Sequence, residues 1–567
     1  MSAKKNRSIQ KKKIVLPAEP DTSRKKKVPS IQGWKQKNLP YYIGLAVVLL
    51  LIILIRKNYL TIPFERDEGS YAYAGKIILN GAKTFTDIGS QRLDGVFYAY
   101  AVLVAFFGYT VKALHVAFLL VNLVSTCLLF LLVKKLINSI TALIASLFFA
   151  LLSMDIGASG FTIQSEHLVA FACIAGFLSL FYFLEKNKIW LLIITGVLFS
   201  IAFQLKQTSA FFGFFAGLLI IYKGYFVDKT SIKKLILYAS VFSAAVFIPI
   251  VIDLLVIYMN GAWTDFKLWF FDIRNQYSSL LSFSQGLKHL KQVFAVIYKN
   301  YEFLWIFSVI GSIAIFFTSL PLWKKIFIGG LYAMGLLTVI PGLHFYGHYF
   351  LQWIPAVSIS AAAFIFSVYD ILQNKFKLKK SAFAVSALIT IFPVISNLKN
   401  SAEYYFNPDE TAVLRKAYGG NPFPESKVVA DKLNTLMKEE DKLVVLGTEI
   451  QMYVYTNKFA PSRFAGCGAL LEFPISQSNA WQKEFIADVE KAAPKYMVYY
   501  SMPVSWMINP KSEDLIFPWF NKFSKNYKII GYAEMFSNTT KYVWEPDVDL
   551  VNHPLKSTFV IYVLERI

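Results

Sequence analysis

Long apolar runs separated by short charged loops fill the first 400 residues of the chain. The first run is Tyr41 to Ile55, closed by Arg56-Lys57. Others follow at about 113–133, 139–154, 166–184, 189–206, 209–222, 234–258, 302–320, 326–341, 348–370 and 380–397, which predicts about eleven membrane-crossing helices. Val96 to Phe107 is too short for a crossing and predicts a helix lying on the membrane surface. Between Gly69 and Leu79, Tyr71, Tyr73/Ala74, Ile77 and Ile78 recur at helical spacing, and Asn80-Gly81 reads as a stop. That pattern predicts a further surface helix with Asp67 and Glu68 at its N-terminus. After about residue 398 the texture changes. Leu443 to Gly447 and Lys495 to Tyr500 read as buried strands, preceded by helical stretches at about 425–439 and 481–492, with Lys528 to Phe536 and Thr558 to Leu564 as later strands. The expected architecture is an α-helical polytopic membrane protein with a C-terminal soluble α/β domain. Residues 1–40 form a basic tail, 41–397 the transmembrane domain with 56–112 as its first extracytoplasmic loop, and 398–567 the α/β domain.

Composition agrees. Of 567 residues, 56% are hydrophobic and 17% aromatic, with mean hydropathy +0.47, more apolar surface than a soluble chain of this size can use. The net charge of +22 is uneven and weighs on Lys4, Lys5, Arg7, Lys11 to Lys13, Arg24 to Lys27, Lys35 and Lys37. That tail has almost no aromatic interleaving and runs into a span, so anionic lipid headgroups account for it better than nucleic acid. It is too long and polar for a signal-peptide n-region, so the first span reads as an uncleaved anchor. With the tail in the cytoplasm, alternate loops carry Lys134-Lys135, Lys186 and Lys188, Lys223 with Lys229 to Lys234, Lys324-Lys325, and Lys375 to Lys380. All are short and Lys-rich, as the positive-inside rule requires. The opposite loops hold the Asp67 region, Asp155 to Glu166, Lys206-Gln207, the 260–300 segment and His344 to His348. The expected location is the cytoplasmic membrane, with the C-terminal domain outside the cytoplasm. Three Cys and six His, with Cys127 and Cys173 inside spans and Cys467 alone, supply no disulfide framework or CxxC zinc site. Gly447-Thr448-Glu449 lacks the pattern of a phosphate loop.

The stretch Phe64-Glu65-Arg66-Asp67-Glu68-Gly69-Ser70-Tyr71-Ala72-Tyr73 sets adjacent carboxylates where the chain leaves the bilayer, a poor place for anchors. It reads either as a solvated helix start favoured by the helix dipole or as a catalytic group. An Asp-Glu pair after the first span, then a Tyr-rich surface helix ending near Asn-Gly, resembles membrane glycosyltransferases of the GT-C fold. The resemblance is to protein O-mannosyltransferases and bacterial lipid A aminoarabinose transferases, a family-39-like group. It implies a sugar transferase using a polyprenyl-phosphate-linked donor, an extracytoplasmic lipid, glycan or protein acceptor, and Asp67 as catalytic base. In the aminoarabinose branch a Lys-Pro-Pro element precedes the second surface helix. Here the stretch is Arg92-Leu93-Asp94-Gly95-Val96-Phe97-Tyr98, in which Arg92 can take the cation's part while the missing prolines leave the sugar open. Some bacterial members also end in a soluble domain, which implies covering or shaping the site rather than catalysis.

Such a transfer needs charge neutralisation at the leaving phosphate and a base at the acceptor hydroxyl. Asp67 is the candidate base and Glu68 its neighbour. Adjacent carboxylates repel unless a cation intervenes, which Arg66, Arg92 or a divalent metal held by Asp67 and Glu68 could supply. Glu166 opens a span near the interface, as a functional acid or a snorkelling end residue. Lys206, in Gln204-Leu205-Lys206-Gln207-Thr208, lies on the side where Lys is disfavoured, which suits a phosphate ligand, and the family often has a Lys there. His348-Tyr349-Phe350-Leu351-Gln352, with Pro355 following, resembles a pattern of bacterial members in which His348 and Tyr349 would meet the donor; a plain interfacial His is the alternative. His344 has weaker support, and His115, on an apolar face, reads as structural. The rival readings are a transporter or flippase, which would show inverted repeats and broken helices around midplane charges, and a non-catalytic polysaccharide-assembly protein.

Overall fold

The computed structural model describes residues 31–473, 476–537 and 539–567. Residues 1–30 of the expected basic tail lie outside them. The chain enters as α1 (Ile31–Arg56), and two helices follow in the first long loop, α2 (Arg66–Leu79) and α3 (Gly95–Phe107). The bundle then continues through α4 (Val111–Leu136), α5 (Ser139–Leu152), α6 (Ser165–Lys186), α7 (Ile189–Leu205), α8 (Ala210–Tyr222) and α9 (Ile232–Met259). A long connection holds α10 (Trp263–Lys267), α11 (Arg274–Ser278) and α12 (Phe283–Lys299), from which α13 (Glu302–Ala314) departs at 107°. The bundle closes with α14 (Leu322–Val339), α15 (Ile354–Asn374) and α16 (Lys379–Tyr405).

All eleven predicted apolar runs are helical. Eight helices among the described residues are long and apolar enough to cross a membrane; α5 and α7 are shorter, and α13 reaches that length and hydropathy only together with α12, across their bend. In lipid a backbone must satisfy its own polar groups, so uncharged runs of this length settle as helices. Three boundaries differ from expectation. Helix α1 already starts at Ile31, inside the expected basic tail. The run predicted at 348–370 starts as a 3₁₀ turn, Gly347–Gln352, and becomes α-helical only from Ile354, with Pro355 in the first turn, where its missing N–H costs no bond. Helix α16 continues past residue 397 to Tyr405, because Tyr404 and Tyr405 are buried against Tyr59, Tyr301 and the Leu151 carbonyl of the bundle.

The Lys-rich loops gather at one end of the bundle. Lys135 lies 3.2 Å from Glu185, Lys324 donates to the Lys135 carbonyl at 2.7 Å, and Lys223 donates to the Leu184 carbonyl at 2.9 Å. The C-terminal domain sits against α2 at the other end. Its five-stranded sheet has the order β1-β2-β5-β3-β4, from β1 (Leu443–Leu446), β2 (Tyr496–Tyr500), β3 (Tyr527–Met535), β4 (Thr540–Trp544) and β5 (Val560–Arg566). β1 and β2 are parallel, with Leu443 opposite Tyr496, and their connection runs through the helix Ser476–Ala492; the remaining pairs are antiparallel. The apolar runs of β1 and β2 predict their burial. β4 escapes prediction because it is a half-exposed edge strand with no apolar run.

Candidate active site

The site begins with the way α2 starts. Glu65 is its N-cap, and its Oε1 accepts the Glu68 N–H at 2.9 Å, while Glu68 Oε2 accepts the Glu65 N–H at 3.1 Å. This reciprocal capping box starts the helix at Arg66 rather than Gly69. It also fixes Glu68 as an interior group. Its side chain is fully buried, and its Oε1 accepts from the Ile163 N–H and from His115 Nε2 at 3.1 Å. The expected Asp67–Glu68 pair is therefore divided. Glu68 is a strut between α2, α4 and the 153–164 loop, and His115 is its anchor.

Asp67 points the other way. Its side chain is 34% exposed and lines a cavity of about 1610 Å³ between the bundle and the C-terminal domain. Arg92 approaches Asp67 Oδ2 at 3.9 Å and donates to the Tyr71 hydroxyl. Burial works against the Arg92 charge, but Tyr71, Asp67, Tyr349 and Glu166 hold its pKa above the ordinary value. Glu65 lines the same cavity. Burial first, then the neighbouring Asp67 and Glu68 carboxylates, push its carboxyl up to about 8, against the backbone bonds it accepts. Gln164 also donates to Glu65 Oε1, at 3.1 Å.

The facing wall carries the predicted cations. Lys206 sits between α7 and the next turn, pairs with Glu166 in the first turn of α6, and lies 3.5 Å from the Tyr349 ring centroid. Burial lowers the Lys206 pKa to about 8, with Glu166 opposing that shift and Arg92 adding to it. His348 Nε2 is 3.8 Å from Glu166 Oε1, and burial lowers the His348 pKa as well. The 3₁₀ turn holding His348 and Tyr349 lies so close to the 153–164 loop that a Cβ on Gly347 would stand 2.2 Å from the Gly157 carbonyl oxygen. Only glycine permits that approach.

Asp67, Arg92, Lys206, His348 and Tyr349 thus share one cavity. Glu166 does not reach it. It is 1% exposed and stands behind Lys206 as its counter-ion, which corrects its assignment to direct substrate contact. Arg66 does not serve Asp67 either; its guanidinium goes to the C-terminal domain. His344 stacks on Tyr277 at 4.3 Å and hydrogen-bonds the Tyr277 carbonyl at 3.1 Å, fastening α11 to the turn after α14. The divalent metal expected as an option does not fit. Glu68 has its oxygens occupied inside the fold, and among the described residues no three His, Cys, Asp or Glu are grouped to hold an ion. Sequence reasoning missed Glu65, Tyr71 and the C-terminal lining residues Arg463 and Glu472. The Glu-x-x-Glu spacing at 65–68 was a capping signal for the first of these; nothing local marks Glu472.

Comparison with known proteins bears on the fold. The family model described as dolichyl-phosphate-mannose-protein mannosyltransferase matches residues 95–252, a stretch that includes Lys206 but begins after Asp67. No curated protein matches the chain at a significant level. ArnT from Cupriavidus metallidurans in the apo state is similar over 90% of this chain and 98% of its own, with a TM-score of 0.54 at 10% identity. The same protein bound to undecaprenyl phosphate gives 0.51 at 11% identity, over 75% of this chain and 85% of its own. An Archaeoglobus fulgidus oligosaccharyltransferase tethered to an acceptor peptide gives 0.50 at 12% identity, over 91% and 75%. The chain has the GT-C membrane fold, with a small C-terminal sheet domain.

Proposed function

We propose that this chain is an integral-membrane glycosyltransferase that moves a sugar from a polyprenyl-phosphate-linked donor to a hydroxyl of an extracytoplasmic lipid, glycan or protein. The observation that carries the reading is the meeting of one accessible carboxylate, Asp67, with Arg92, Lys206 and His348 in a single cavity. These groups come from four separate stretches of the chain, and each suits one need of the reaction. Asp67 takes the proton of the acceptor hydroxyl as its oxygen attacks the anomeric carbon. The bond from that carbon to the phosphate oxygen breaks, and the leaving phosphate keeps the electron pair. Arg92 and Lys206 neutralise the charge that develops there, with His348 beside them. Attack opposite the leaving group inverts the anomeric centre. The match to a mannosyltransferase family model and the likeness to an undecaprenyl-phosphate-bound GT-C structure support the donor class. The cavity has room for a lipid phosphate, its sugar and an acceptor group together.

The test is Asp67→Asn, nearly isosteric and unable to accept a proton. Donor binding should stay close to wild type while turnover falls at least about a hundredfold. Turnover is read by mass spectrometry of envelope glycolipids and glycans, in cells and with purified protein. Normal turnover in Asp67→Asn ends the assignment of the base. A wild type that binds polyprenyl phosphates and moves them across the membrane without transferring sugar ends the enzyme reading in favour of a flippase.

A further inference from the structure

Arg66 stands one residue before Asp67 and gives its guanidinium to the C-terminal domain. Its NH2 group donates to Val504 O at 3.0 Å, Asn421 Oδ1 at 3.3 Å and Glu449 Oε1 at 3.4 Å, and the guanidinium carbon lies 5.9 Å from the Phe423 ring centroid. Glu449 follows β1, is fully buried, and also accepts from the Ser505 hydroxyl at 2.8 Å. It does not line the cavity, so it meets no substrate. The chain after Glu449 presses along α2. A Cβ on Gly69 would lie 2.5 Å from Gln451 Cβ, Ala460 donates its N–H to the Tyr73 hydroxyl at 2.9 Å, and the rings of Tyr73 and Tyr453 stand 5.5 Å apart. Asp67 keeps Arg92 as its one ion-pair partner among the described residues.

That division of cations has a chemical consequence. A second guanidinium beside a carboxylate favours its charged form, and a carboxylate so held is a poorer proton acceptor. Without Glu449, Arg66 would be left as a part-buried charge with only neutral acceptors, a costly state that a nearby carboxylate relieves. The carboxylates that line the cavity around it include its chain neighbours Glu65 and Asp67 and, across on the C-terminal domain, Glu472, which lies within electrostatic reach of both Arg66 and Asp67. We infer that Glu449 is a positioning residue: it sequesters Arg66, so that Arg92 is the one guanidinium paired with the candidate base. This gives the C-terminal domain a specific part in the reaction, and it rests on the reading of Asp67 as base.

The test compares Glu449→Gln with the double variant Arg66→Gln/Glu449→Gln, as full-length protein in detergent, with a lipid extract of envelopes from cells lacking the gene as source of donor and acceptor. Glu449→Gln should lower kcat about tenfold or more with KM for the extract little changed, the signature of a lost transition-state effect. The double variant removes the ion pair altogether yet also removes the stray cation, so kcat should return to within about threefold of wild type. A double variant as slow as the single one means that the pair only clamps two domains, and overturns the inference. So does a Glu449→Gln protein with wild-type kcat. Should Glu449→Gln not accumulate as folded protein, Arg66→Gln alone decides: retained turnover agrees with sequestration, and a loss as large as that of Asp67→Asn overturns it. Absence of transfer by the wild type removes the glycosyltransferase reading and this inference with it, whereas an active wild type with an indifferent Glu449→Gln removes this inference only.

Discussion

Lys206 holds its charge between a buried carboxylate and an open cavity, which ties its protonation to ligand binding. Replacing it with Ala should weaken donor binding by about 2–3 kcal/mol, the scale of one charge-assisted bond at a partly dry site. Lys206→Arg should keep part of the affinity. Because burial depresses the Lys206 pKa to about 8, the cation is complete well below that pH and is lost as pH rises through it. Affinity for undecaprenyl phosphate, measured on purified protein, should therefore fall across this window in the wild type and hold in Lys206→Arg, whose guanidinium stays charged. Unchanged affinity in Lys206→Ala would make the residue a plain interfacial anchor. That Lys206, Arg92 and His348 would lie on one side of the bundle was legible from the sequence, and the structure brings them to one cavity. Lys206 broke the charge pattern of a membrane chain, whereas Arg92 and His348 were marked by the family resemblance of their segments. Glu68 was misread because adjacent positions on a helix point about 100° apart, so a pair in sequence is not a pair in space. At the third helical position Glu68 turned inward to cap, while Asp67 turned to the cavity.

Helix α2 depends on a carboxyl that the fold prefers protonated. The folded-state pKa of Glu65 is raised from 4.5 to about 8, so its favourable contribution is whole below the unfolded value and drains away as pH climbs through 8. Thermal unfolding of the detergent-solubilised protein should then show a melting temperature that drops between pH 6 and pH 9. Glu65→Gln keeps an oxygen for the Glu68 N–H and cannot ionise, so its curve should lose most of that slope. A variant with the same slope as the wild type would refute this role. The bundle helices were readable from apolar runs, down to the short α3, whereas α10 to α12 in the 260–300 segment were not. The 3₁₀ turn at Gly347–Gln352 was not, since it is set by contact with Gly157 from another part of the chain, which no local pattern records.

Across the whole molecule the Lys-rich loops lie at one end and the cavity with the C-terminal domain at the other, which is the arrangement the alternation of charges predicts. A reporter active only outside the cytoplasm should work when fused after residue 400 and fail at Lys134. Activity at Lys134 would reverse the orientation and put Asp67 on the cytoplasmic side. Sequence pattern reached the two-part architecture. It did not reach the cavity between the parts, because that space is made by the docking of α2 on residues 448–460, and docking surfaces of this kind mix polar and apolar groups without a period.

The contact between Arg66 and Glu449 joins residues 383 positions apart. A ribosome adding about 5–20 residues each second needs roughly 20–75 s to make that span. During that interval the nascent chain already displays Asp67, but it lacks one wall of the cavity and the partner that holds Arg66. The cavity around the candidate base is thus completed near the end of synthesis, and a chain that stalls before Glu449 has the helical bundle without that wall.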